Sequence, residues 1–575
     1  MDLMPQYSGN DLYIHYGSPV ITAANTLLVP VKTGADDGFR LDARQGSTGA
    51  LLWSLTTDYA VPTHGWFPIC GVTLTPNDAS VAVPAAGGTI LVEASPNSAG
   101  TPNPTRMAFY GIASYNANQA AYNSAIQICT PISSDAQGNL YFGYVSSYAG
   151  IPSGLARIGN DDTGSFVSAA AMCGDNSMQK VCYNCTPAFS ADGTTLYVAV
   201  NNGSSGYLCA LNSTTLAMKA SVYLLDPKSG WAAWLDDDSS ATPTVGPDGD
   251  VYYGVLENPF LENNDRGWLL HFSGDLGTLK LPGAFGWDDT ASVVPASAVP
   301  SYMGPSSYLL LTKYNNYADF GLGDGVNKLA LNDPNTTYTD PRTGVTVMNP
   351  FLTVAGVTPD PDFVNTYPNA VREWCINSAA IDPFNKCAVV NSEDGSVYRW
   401  DFTSNSLIAA VNLAPATGEA YTPTVIGPDG AVYAINNAQL FSVIGNLTYS
   451  NWTAQNGLTG TSALQATVIA HDNLNNLYKY ALGLTPTTNY NPGAAGLPGV
   501  SAQNISGTNY LALTFNGVAT DVTYTVQATS NLNGAWSTIK TFPSGGLAPG
   551  TQTVPDVQAV GSTAQRYMRL VMTIP

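Results

Sequence analysis

The chain has 575 residues, with 20 Lys and Arg against 41 Asp and Glu, a net charge of −21. Such a surface repels nucleic acid and anionic membranes, so both are set aside as partners. Only 11% of residues are charged, while 55 Gly, 38 Pro and 32 Tyr point to turns and strands and exclude a coiled coil or helical bundle.

In chain order, Thr26-Leu-Leu-Val-Pro-Val31 reads as a strand, Phe39–Arg44 as the next, and Gln45–Gly49 as a turn into Ala50–Trp53. A phrase then recurs: Thr-Pro, a short apolar run, Asp-Gly, and Val/Leu-Tyr. Thr130-Pro131 leads to Gly138 and Leu140-Tyr141, and Thr186-Pro187 to Asp192-Gly193 and Leu196-Tyr197. Thr242-Pro243 leads to Asp248-Gly249 and Val251-Tyr252, and Thr422-Pro423 to Asp429-Gly430 and Val432-Tyr433. Asn377-Ser378 is read as leading to Asp394-Gly395 and Val397-Tyr398. Pro131, Pro187 and Pro243 are spaced 56 residues apart. With weaker starts at Ser18-Pro19, Phe67-Pro68 and Ala291-Ser292, residues 18–445 hold about eight units of about fifty residues, the period of propeller blades. Asp-Gly supplies the positive-φ turn of a hairpin, and the flanking runs are its strands. The unit at 291–377 is longer and carries Gly-Leu-Gly-Asp-Gly at 321–325, where a functional loop would sit.

Residues 446–500 change character and read as a linker ending in Pro-Gly turns. From 501 to 575, Tyr510–Phe515, Val522–Ala528 and Tyr567–Met572 alternate with period two, and Trp536 is the core candidate of a small β-sandwich. The predicted fold is all-β: a propeller of about eight blades (seven is the alternative) over 1–445, then the linker, then the sandwich.

The blade grammar, Asp-Gly-x-Val-Tyr followed by Thr-Gly and an apolar pair ending in Trp53, resembles the pyrroloquinoline-quinone-like β-propeller repeat of exported bacterial proteins. That family includes dehydrogenases and assembly scaffolds. The resemblance to its dehydrogenases implies a quinone beside calcium or a lanthanide. Those enzymes often carry a vicinal Cys-Cys, and none occurs here; the tryptophan-docking phrases are also mostly missing, so a quinone is not expected. His471-Asp-Asn-Leu-Asn-Asn-Leu-Tyr-Lys-Tyr-Ala-Leu-Gly483 resembles an Asp-rich calcium loop followed by Asn-Leu-x-Glu-Tyr-Ala-Leu-Gly near the end of exported proteins. Here Asp472 is the one carboxylate left, which implies an empty or weak metal loop. The C-terminal sandwich resembles accessory domains of secreted proteins and implies anchoring or adhesion.

Eight cysteines fit disulfides in an oxidising compartment. Spacing suggests Cys375 with Cys387, and a second cluster of Cys173, Cys182, Cys185 and Cys209. Cys182-Tyr-Asn-Cys185 runs into Thr186-Pro187 and a strand rather than a helix, so a structural role is read over redox or zinc chemistry.

Candidate chemistry gathers before the unit starts. Asp236, Asp237 and Asp238 precede Thr242-Pro243, and Trp287-Asp288-Asp289 holds the same place one unit later. These carboxylates would bind calcium or supply an acid/base pair, or simply form solvated loops. Arg372-Glu373-Trp374-Cys375 and Gly418-Glu419-Ala-Tyr421 precede neighbouring units, with an Arg–Glu pair locking two blades as the plain alternative. His64 and Trp66 occupy the analogous place at the start of the Phe67-Pro68 unit.

The expected function is an exported, non-catalytic recognition or surface-assembly protein that binds a glycan or protein partner, or itself, through the propeller. Its ligand-binding candidates are His64, Trp66, Arg372, Trp374 and Tyr421. The metal candidates are Asp236–Asp238, and no cofactor is required beyond calcium at such a site. The alternative is a secreted carbohydrate-active enzyme using Glu373, Glu419, Asp236 and Asp288. No run approaches the about 18 apolar residues of a membrane helix, and residues 1–10 show no signal-peptide pattern. An extracellular or cell-surface location, or a periplasmic one, is expected from composition.

Overall fold

The computed structural model describes residues 12–13, 17–34, 37–62, 70–235, 239, 241–413, 424–443, 448–449, 452–453, 456, 458–547 and 550–574. The chain divides into two units, Met1–Val443 and Ile444–Pro575.

Among the described residues of the first unit, eight antiparallel sheets of three to five strands follow one another in chain order. The predicted strands hold with small extensions: Thr26–Lys32, Asp37–Gln45 and Leu51–Ala60 form most of the first sheet. Each sheet buries an apolar cluster against the next. Leu28, Leu41 and Trp53 of the first pack on Val81 and Val83 of the second, and so on around to Val389 and Val397 against Ala434. The last sheet then packs on the first, through Tyr433 and Ile435 against Leu27 and Val29. The Asn25 amide donates to Asp429 at 2.6 Å across the same seam. Sheets that pack in sequence and close on themselves form a β-propeller, which leaves only short edges.

The repeated phrase does two jobs. Its Thr-Pro end lies beside the innermost strand, an edge where a residue lacking N–H is tolerated. The hydroxyls there tie neighbouring sheets together. Ser133 donates to the Pro187 carbonyl at 2.6 Å, Thr242 accepts from the Thr186 amide at 3.2 Å, and Thr290 accepts from the Thr242 amide at 3.0 Å. Ser292 donates to the Ala379 carbonyl at 2.9 Å, continuing the ring. At the opposite end Gly249 (φ +87°) and Gly430 (φ +78°) take the left-handed turn that Asp-Gly offers. The tyrosine of the phrase latches the following sheet: Tyr197 donates to Gly274 at 2.6 Å, and Tyr252 meets Tyr308 hydroxyl to hydroxyl at 2.6 Å.

One copy sits differently. In the seventh sheet the first hairpin turns between Ala380–Asp382 and Cys387–Asn391, whereas Asp394-Gly395 joins the second strand to Ser396–Asp401. Antiparallel strands alternate direction, so Glu393 therefore faces the end at which chains enter the innermost strands. The cysteine expectation is also corrected. No disulfide joins any of the eight in this structure. Cys375 lies with Glu373 and Glu393, and Cys387 pairs in register with Asp382 and Asp401. The second cluster does assemble: Cys173, Cys182, Cys185 and Cys209 lie together in one buried apolar cluster with Tyr253.

The second unit contains two three-stranded sheets, one of Gly499–Ile505, Thr508–Gly517 and Gly550–Ala559, the other of Ser537–Phe542, Thr523–Thr529 and Tyr567–Thr573. Trp536 is not in its core; it is half-buried under the Arg569 guanidinium, 4.2 Å away. The segment read as a linker supplies core instead: Trp452, Tyr480, Leu482 and Leu484 pack with Phe515, Tyr524 and Val526.

Candidate functional site

Loops that join second to third strands, and loops that enter innermost strands, share one end of the ring. Several long ones lie in the fifth to seventh sheets, at residues 256–267, 284–291, 314–327 and 356–377. They assemble an acid-rich centre in which Lys313, Asp288 and Asp289 are buried and Glu373, Cys375 and Glu393 are half-buried.

Lys313 ends the apolar strand Tyr308–Lys313 and is itself buried. Its ammonium donates to the Asp288 carbonyl at 2.9 Å, and its amide donates to Asp289 at 3.0 Å. Its ammonium also lies 5.6 Å over the Phe285 ring. Glu373, Cys375 and Glu393 place one ligand atom each within 4.8 Å of one another. The Glu393 amide approaches the Glu373 carbonyl at 3.4 Å. Burial, then the charge of Glu393, pushes the Glu373 carboxyl up to about 8, against the pull of Lys313. Burial raises Glu393 too, with Arg372 opposing it, and it raises the Cys375 thiol. Asp289 is pushed up to about 8 by burial, which Lys313 counters only in part. Asp265 rises to about 7 through burial and the neighbouring Glu257. Glu257 itself accepts the amides of Asp265 and Gly267, each at 2.6 Å, and so shapes its loop.

Two carboxylates and a thiol at this spacing are able to hold a cation, and a neutral Glu373 is a proton donor at pH 7. The structure brings Glu373 and Asp288 to one centre, as far as Cys375 and Lys313 link them. Two other residues part from expectation. Trp374 is 1% exposed and packs edge-on to Tyr398 at 5.7 Å, so it belongs to the core and offers no ligand face. Arg372 reaches Asp360 at 3.6 Å and Asp362 at 3.5 Å rather than a glutamate. Asp288 is buried with φ +55° and serves through its carbonyl. His64, Trp66, Asp236, Asp237, Asp238, Glu419 and Tyr421 lie outside the described residues. Lys313 and Glu393 escaped the sequence reading. A lysine closing the apolar run Leu309–Thr312 was the available signal for the first.

From this centre an aromatic series runs outward. Phe285 meets Tyr317 at 6.2 Å, Tyr317 meets Phe320 at 6.3 Å, and Phe320 meets Phe260 edge-on at 6.4 Å. Phe260 lies parallel to Trp234 at 6.3 Å. The outer members are exposed, with Leu261 beside them and Leu322, at 76% exposure, on the Gly-rich apex. The Leu322 amide donates to Asn264 at 3.0 Å, which ties that apex to the Phe260 loop. Trp231, 61% exposed, lies on a turn tied to the same loop by Lys228, which bonds Glu262 at 3.2 Å.

No family model matches the chain, and no curated protein matches its sequence. Solved structures similar to it include BamB from Moraxella catarrhalis, 11% identical over 75% of this chain and 97% of that one, with a TM-score of 0.40. Sqt1 of Saccharomyces cerevisiae is 12% identical over 76% of this chain and 100% of its own, with a TM-score of 0.44. A europium-containing methanol dehydrogenase is 10% identical over 74% and 83%, with a TM-score of 0.45. At these scores no activity or partner transfers to this chain.

Proposed function

We propose that this is a non-catalytic recognition protein of the cell exterior, which holds a protein partner on the loop-bearing end of its ring. The observation that carries the reading is the ridge of Trp231, Trp234, Phe260, Leu261, Phe320 and Leu322, which leaves large apolar side chains in water beside polar loops. Contiguous exposed apolar surface of this kind marks interaction sites, and tryptophans dominate the energetics of such contacts. The mixture of leucine with aromatic rings suits a protein surface better than a sugar.

A second reading has its own support. Glu373, raised to about 8 beside Glu393, has the pairing of a proton donor with a second carboxylate that a carbohydrate-active enzyme needs. One set of tubes separates the two. The protein is incubated with soluble and insoluble polysaccharides, with and without calcium, and released reducing ends are measured. In parallel, wild type and a Trp234→Ala/Phe260→Ser/Leu322→Ser variant are used to capture proteins from an extracellular fraction. The expectation is no released ends and one protein retained by wild type but lost from the variant. Released ends that vanish in Glu373→Gln would overturn the recognition reading in favour of the enzyme.

A further inference from the structure

On the rim of the second and third sheets the chain builds a separate open groove of about 720 Å³, within the about 300–1,000 Å³ usual for small-ligand sites. The connection between the strands Thr105–Ala108 and Ile126–Ile128 carries two short helices and supplies Phe109, Tyr110 and Tyr122. The turn after Leu140–Ser146 supplies Tyr148, and the outermost strand of the third sheet, Gly164–Ser168, supplies Ser165 and Phe166. Tyr110, Tyr122 and Tyr148 stack like plates, 4.3 Å apart at 8° and 4.4 Å apart at 12°. Phe109 fixes the base, 4.9 Å from Tyr110 and 5.6 Å from Phe166, both edge-on. A side chain at Gly164 would strike the Phe109 carbonyl at 1.9 Å, so the close approach that shapes this wall requires glycine.

The lining decides the occupant. None of its residues carries an ionised side chain, in a chain with 61 charged residues. The ligand is therefore neutral, because a charged one would leave water without a counter-charge. A lipid or other wholly apolar ligand would leave polar surface unanswered, since the groove also exposes tyrosine hydroxyls and loop backbone. Aromatic surface combined with exposed polar edges fits a molecule that is apolar on one face and hydroxylated at its edge. We propose that this groove is a binding site for a neutral oligosaccharide, whose sugar C–H faces lie against Phe166 and the outer rings of the tyrosine stack and whose hydroxyls meet the tyrosine hydroxyls and loop backbone. The site is independent of the ridge and of the partner assigned to it.

Calorimetric titration of the full chain with neutral oligosaccharides (cello-, xylo-, malto- and laminari-hexaose) tests this, with oligogalacturonate as the charged control. The expected result is saturable binding of at least one neutral sugar, little changed by salt, and none of the galacturonate. Tyr148→Ala and Phe166→Ser should each weaken it about tenfold. Tyr148→Phe, which keeps the stack, should retain binding and guards against a folding defect. Met303→Ser, at a 90% exposed position elsewhere on the ring, should change nothing. The proposal is overturned if no neutral sugar saturates, if Tyr148→Ala and Phe166→Ser bind like wild type, or if an extended uncharged peptide binds the groove in place of sugars.

Discussion

Lys479 in the second unit and Lys313 in the ring are both buried, yet their surroundings are opposite. Lys479 bonds Asp472 at 2.8 Å and donates to the carbonyls of Pro486 at 3.0 Å and Thr488 at 2.9 Å. Burial would raise Asp472, but bonds from Lys479 and the amides of Tyr490 and Leu474 outweigh it and hold this carboxyl below its usual range. The cation and its oxygens are matched. Around Lys313, by contrast, Glu373, Asp289 and Asp265 are all pushed upward, so its charge is shared among more acids than it satisfies. A matched pair is the arrangement of a structural lock, and surplus protonated acid is that of a site able to exchange protons or take up a cation. The loop with the calcium-like sequence thus houses an ammonium of its own, at the lysine that stands where the resembling pattern has glutamate.

Breaking the lock should give the largest effect. Lys479→Met leaves Asp472 buried without its cation and should cost the second unit about 3–5 kcal/mol, read by denaturant unfolding of the full chain. The pH response sharpens the contrast, because the two centres run in opposite directions. Glu373 and Asp289 keep their protons in the folded ring after the unfolded chain has lost them. Their stabilisation is complete below about pH 4 and is lost as pH rises through about 8. Asp472, held low, stabilises above the ordinary carboxylate range and loses that contribution as pH falls through its folded value. Hydrogen exchange resolved by peptide should therefore show the ring loops loosening toward alkaline pH and residues 472–490 loosening toward acid. Glu373→Gln should flatten the first trend and leave the second. The smallest effect is expected at Trp536, where removing the half-buried ring under Arg569 should cost about 0.5–1 kcal/mol, measured as a change in unfolding midpoint.

The repeat was legible because each phrase obeys one local rule: Asp-Gly needs a left-handed turn, and the Thr-Pro phrase suits an inner edge. The site was legible only where it borders a phrase, as with Glu373. Trp374 misled because strand-like backbone alternates faces: Glu373 and Cys375 point to the centre while the residue between them points into the core. Glu393 was hidden by a copy of Asp-Gly that had moved to another turn, and Lys313 comes from a strand whose own pattern carries no trace of its neighbours. Residues 446–500 read as a linker because their apolar side chains are scattered among turns, with no period to show that they pack on the sandwich.

The seam between the first and last sheets has a consequence in time. The bond from Asn25 to Asp429 spans 404 residues, so the ring is clasped by its most distant parts. During synthesis the first sheet must wait, with Leu27 and Val29 uncovered, until the eighth emerges. Contacts of such long sequence separation form slowly, and an unpaired apolar edge invites the wrong neighbour meanwhile. The step that completes this molecule is therefore also the one most exposed to competition from other chains.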